Sequence, residues 1–130
     1  IMNTTTDFQK QQIMECYERL RKFVSDMDIE DENVYYDIRN MIEVKKIALP
    51  TAVYKAMMNF MDQVVEPYVF EDTTEIFSEE EAKRNEKGIV EIKSEQAFQK
   101  LMVRFMEKLS ELDAKIETFA ESELKPYLER

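Results

Sequence analysis

Cys16 is the only thiol in the chain, and its use as a nucleophile requires a base to take its proton or a helix N-terminus to stabilise the thiolate. The sequence contains no histidine. The commonest base is therefore missing, and Cys16 lies in the middle of an apolar-periodic stretch, where a small core residue is expected. The Ser, Thr and Tyr hydroxyls meet the same obstacle. Lysine could act as base and carboxylate pairs could move protons, but with 35% charged residues such pairs arise on any helix surface and single out no site. The acidic run Asp26, Asp28, Glu30, Asp31, Glu32 has the alternating oxygens of a calcium loop. Its sixth position is Asp31, where the sharp turn needs glycine, and its twelfth is Asp37 instead of glutamate, so it reads as a solvated loop with a helix cap. Di-metal sites of helical bundles use Glu-x-x-His pairs, which this chain cannot form. The sequence thus predicts no catalytic residue, no metal and no cofactor.

The elements that would position any site are written in the apolar spacing. Ile13, Tyr17, Leu20, Phe23, Val24 and Met27 recur at steps of three and four, predicting a first helix over 7–27 with Thr6 and Gln9 as its capping pair. A second stripe, Val34, Ile38, Met41, Ile42, Lys45 and Ala48, predicts a helix over 31–49, with Asp31 or Glu32 at its positive end. Leu49-Pro50 stops it and starts a third helix over 50–67, because the residue before proline avoids the α region while proline suits a first turn. That helix carries Val53, Tyr54, Met57, Phe60, Met61, Val64 and Val65.

From 71 to 93 the periodicity fails and charges crowd, so a long acidic connection is expected, with Ser78 and Glu81 able to start a short helix to Lys87. Phe98, Met102, Phe105, Leu109, Leu112, Ile116 and Phe119 then alternate steps of four and three, the strongest signal in the chain, for a helix over 94–122 that Pro126 ends or bends. This helix is longer than its neighbours, so either the long connection folds back over the excess or another chain does. No internal repeat stands out. The fold class implied is all-α, an antiparallel four-helix bundle with a long acidic connection before the last helix, in a single domain of 130 residues. One glycine, Gly88, leaves no room for a multi-hairpin β fold or a phosphate-cradling loop.

Eighteen basic against 28 acidic residues give a net charge of −10, which opposes tight binding to bare nucleic acid or to an anionic lipid surface. The apolar runs are too short to insert into a membrane. A protein partner or self-association is the expected company, and Met57, Met58, Phe60, Met61, Ile116 and Phe119 are the candidate partner-binding residues. The reason lies in the third helix: Met57-Met58 and Phe60-Met61 make it apolar on more than one face, so it needs more than a single neighbour. The plain alternative is that the nine methionines fill the core. The first residue is Ile, consistent with a segment of a longer protein or with a start at Met2.

Tyr17-Glu18-Arg19-Leu20-Arg21-Lys22-Phe23-Val24 and Lys45-Lys46-Ile47-Ala48-Leu49-Pro50-Thr51-Ala52-Val53-Tyr54 resemble a group of uncharacterised bacterial helical domains. That resemblance implies a cytosolic four-helix bundle, frequently behind an N-terminal transmembrane helix, in a bacterial or phage intracellular setting and with a non-enzymatic role. The acidic segment 71–93 departs from the group. The expected function is a non-enzymatic interaction or scaffolding module, in one form the cytoplasmic part of a protein tethered to the inner membrane by an upstream segment. The alternative is an acidic inhibitor that mimics nucleic acid and fills a basic groove on its target.

Overall fold

A computed structural model describes residues 4–78 and 81–129, and the chain in it is mostly helical with one small sheet. The chain divides into two compact units, Ile1–Phe70 with Leu109–Arg130, and Glu71–Lys108.

In the larger unit, helix α1 (Asp7–Ser25) begins with a capping box in which the Thr6 hydroxyl accepts from the Gln9 amide and the Gln9 side chain accepts from the Thr6 amide. It buries Ile13, Cys16, Leu20, Phe23 and Val24, the stripe expected from the spacing. It stops two residues before the expected Met27. The Met27 amide donates to the Val24 carbonyl and the Asp28 amide to the Phe23 carbonyl, a Schellman ending that needs the left-handed region at residue 27. Met27 supplies it at φ 60°, a conformation that glycine adopts without strain.

Helix α2 (Glu32–Val44) is capped by the Asp31 carboxylate, which accepts from the Asn33 and Val34 amides at 3.0 and 3.3 Å. After a 3-10 turn over Lys46–Ala48, Leu49 is extended ahead of Pro50, as a residue preceding proline must be. Helix α3 (Thr51–Phe60) then runs through a wide π segment (Met61–Val65) into α4 (Glu66–Val69). The same sequence of events ends the chain. Helix α5 (Glu95–Phe119), whose residues from Leu109 onward belong to this unit, passes through a π segment (Ala120–Leu124) into α6 (Lys125–Leu128).

Each wide segment precedes a proline, Pro67 or Pro126, whose missing N–H and bulky ring disturb the preceding turn. The amide just before each proline reaches back five residues, Glu66 to the Met61 carbonyl and Lys125 to the Ala120 carbonyl. Phe60 and Phe119 stand seven residues before these prolines, and a tyrosine and an aliphatic residue follow each. A short repeat is thus present where the sequence reading finds none. Within the unit α1 packs on α2, α2 on α3, α1 on α6, and α3 on the Ala120–Leu124 segment.

In the smaller unit, Asp72 caps a 3-10 turn over Thr73–Ile76, and strands β1 (Ala82–Arg84) and β2 (Val90–Ile92) form an antiparallel hairpin in the register Ala82 to Ile92. The expected helix from Ser78 is replaced by this hairpin. The Ser78–Glu81 contact does form, but the chain leaves it as a strand; Glu79 and Glu80 lie outside the described residues. Gly88 permits the turn, with φ 78°, and the Asn85 side chain accepts from the Lys87 and Ile89 amides. Ser94 caps the start of α5 by accepting from the Ala97 amide at 3.1 Å.

Candidate functional site

Five of the six residues expected to meet a partner lie in the interior. Met57, Met61 and Ile116 are fully buried, Phe60 and Phe119 are nearly so, and Met58 is half-buried. Phe60 and Phe119 stack with ring centroids 4.4 Å apart at 26°. The Tyr35 hydroxyl donates to the Met61 carbonyl at 3.3 Å, and α3 packs both on α2 and on the Ala120–Leu124 segment, so its apolar faces meet neighbours within the unit. These five are buried in the larger unit, where α3 packs against several elements at once.

An exposed apolar stripe lies on α5, about three to five turns before Ile116. Phe98, Met102 and Met106 are 53%, 43% and 52% exposed. With about 100° between successive residues, these three and the half-buried Phe105 fall within an arc of about 100° on one side of the helix. Ala97, Leu101, Arg104 and Lys108 form a neighbouring arc, and it is this one that the smaller unit covers: Ala97 and Lys108 are buried, Leu101 and Arg104 half-buried. The most apolar face of this helical segment therefore points to solvent, the reverse of what burial alone would select.

Ion pairs hold the covered side. Arg104 donates from Nε and Nη2 to the two carboxylate oxygens of Glu71, at 2.9 and 2.5 Å, and the Lys108 ammonium lies 3.9 Å from Glu71 Oε2. The Arg104 hydrogen bonds keep the Glu71 carboxyl below the usual carboxylate range. Lys100 lies 2.7 Å from Glu81 Oε2, and its hydrogen bond likewise lowers the Glu81 carboxyl. A further open groove of about 530 Å³ on the flank is lined by Ile76, Gln96, Gln99 and Val103 among others.

No comparable constellation for chemistry assembles around Cys16. Its side chain is fully buried, and burial pushes the thiol up to about 11, so no thiolate forms near neutral pH. The Lys45 ammonium donates to Gln12 Oε1 at 2.5 Å and to Glu15 Oε2 at 2.7 Å, which lowers the Glu15 carboxyl and employs the lysine as a tie between helices. Among the described residues no group of three or more His, Cys, Asp or Glu side chains could hold a metal ion. Asp31, in the acidic run, serves as the cap of α2.

The chain matches no family model, and no curated protein or solved structure matches it. Among the described residues no helix is long and apolar enough to cross a membrane. Phe98, Met102 and Phe105 belong to the heptad-like stripe that the sequence reading identifies, and the length of the last helix already raises the question of what covers its excess. Met106 falls outside that stripe and shows itself only on the wheel.

Proposed function

We propose that this chain is a non-enzymatic helical interaction or scaffolding module, and that it engages a protein through the Phe98, Met102 and Met106 face of α5. One observation carries the proposal: a chain able to bury Met57, Met61 and Ile116 completely leaves its longest apolar stripe half-exposed from Phe98 to Met106, over about two and a half turns. Methionine and phenylalanine suit such a role, since the first repacks at little cost and the second provides a rigid anchor. The larger unit is proposed to be the scaffold, an antiparallel bundle of four helical segments; the packing of α1 on α2, α2 on α3 and α1 on α6 supports that arrangement. A cytoplasmic setting, with tethering to a membrane by an upstream segment, belongs to the same proposal and rests on the resemblance noted above.

The acidic-mimic reading is less well supported, because cations are interleaved with the carboxylates along the helices. Arg21 pairs with Asp113 and Glu117, Arg39 with Asp62, and Lys45 with Glu15, which interrupts the unbroken negative array that a phosphate mimic needs. A photo-reactive side chain at position 102, compared with one at the fully exposed Ile47, tests the proposal in cells. Adducts specific to position 102 support it. Equal labelling at both positions, or none at either, refutes it.

A further inference from the structure

We infer that the exposed face of α5 pairs with the same face of a second copy of this chain, the two helical segments running antiparallel about a two-fold axis at Met102. The inference rests on the interaction reading and names its partner. Charge is the first reason. All three cations on α5 up to Lys108 face carboxylates of their own chain, Lys100 on Glu81 and both Arg104 and Lys108 on Glu71, and the arc itself consists of Phe98, Met102, Phe105 and Met106. Such a face has little to attract a strongly charged partner and little to repel a copy of itself. Glu95, one turn before Phe98, is the exception, and it fixes the direction. Parallel pairing would set the two Glu95 carboxylates side by side. Antiparallel pairing about Met102 separates them by about 14 residues of helical rise, or about 21 Å, well beyond the Debye length of about 8 Å at physiological salt.

Symmetry is the second reason. Phe98, Met102 and Met106 are spaced four apart, so a two-fold axis at the middle one sets Phe98 of each copy against Met106 of the other and Met102 against itself, an isologous contact with two sulfur-aromatic pairs. A face about 12 Å long, from Phe98 to Met106, and one side chain wide provides much less than the roughly 800 Å² per partner of a standard interface. The pair is therefore reversible, with a dissociation constant between about 10 μM and 1 mM.

Single cysteines at F98C, M102C and M106C in a Cys16→Ala background test the register under mild oxidation. M102C alone should cross-link at least about tenfold faster than F98C or M106C alone, because a disulfide needs Cα atoms within about 7 Å. Mixing F98C with M106C should restore the rapid reaction. Equal self-linking at all three positions would mean parallel pairing and overturn the inference. Sedimentation of the unmodified chain should show association that strengthens with added salt, as the −10 charge is screened, and that Phe98→Glu with Met102→Glu weakens at least about a hundredfold without changing the helical circular dichroism. A strict monomer at millimolar concentration overturns the second copy. If position 102 still labels another protein, the interaction reading survives that failure; if it does not, both fall.

Discussion

Phe60→Leu, Phe119→Leu and the double variant form a cycle that asks whether the two rings belong to the interior or to a surface. They come from positions 59 residues apart, stack at 4.4 Å, and are 6% and 8% exposed. Leucine nearly conserves volume, so each single change should cost about 1–1.5 kcal/mol, against about 3–5 for alanine, which leaves a cavity. The stack adds a coupling of about 0.5–1.5 kcal/mol beyond burial, so the double variant should lose less than the sum of the singles by that amount. In a unit of roughly 90 residues, 1 kcal/mol corresponds to about 4–8 °C in melting temperature. Urea and thermal unfolding followed by circular dichroism read these differences. Single variants that unfold at the parental midpoint would show that the rings lie outside the core and would refute the burial argument. Strictly additive singles would refute the stack.

Other expectations follow from individual residues. Met27→Gly should stabilise the larger unit by up to about 1 kcal/mol, by relieving the left-handed φ of 60° at an exposed position, and a lower urea midpoint would contradict the Schellman assignment. Because Arg104 depresses the Glu71 carboxyl in the folded state, its stabilisation is present above the unfolded carboxylate pKa and lost as pH falls through the folded value; Glu71→Gln should flatten that part of the acid-unfolding profile of residues 71–108, read by hydrogen exchange. With its thiol pushed up to about 11, Cys16 should react with a disulfide reagent at pH 8 at least about a hundredfold more slowly in the native chain than in denaturant, and comparable rates would place it at the surface.

What the sequence made legible was whatever the three-and-four spacing dictates. The starts of α1 and α2 follow from Thr6 with Gln9 and from Asp31, because caps are local chemistry. The break at Leu49-Pro50 is equally local. The hairpin of 82–92 was not legible, since two three-residue strands carry too little alternation to stand out from a charged loop, and Gly88 marks only the turn. The wide turns before Pro67 and Pro126 also escape a period of 3.6, although Phe60 and Phe119 at matching distances from the prolines are a signal in plain view. The burial of the candidate residues on α3 has a physical reason. Apolar character on two faces of α3 states that two neighbours exist without saying whether they come from the same chain, and here Phe119 is one of them. The exposed stretch of α5 carries the same stripe as its buried continuation, so spacing alone cannot divide Phe98 and Met102 from Ile116 and Phe119.

Oxidative footprinting of the methionine side chains reads that division in one experiment. Met102 and Met106 should oxidise rapidly, together with the exposed Met27, while Met57 and Met61 stay protected until the chain unfolds. Met57 and Met61 oxidising as fast as Met102 would contradict the account, because the apolar surface would then lie on α3 and the face of α5 would have no special claim to a partner.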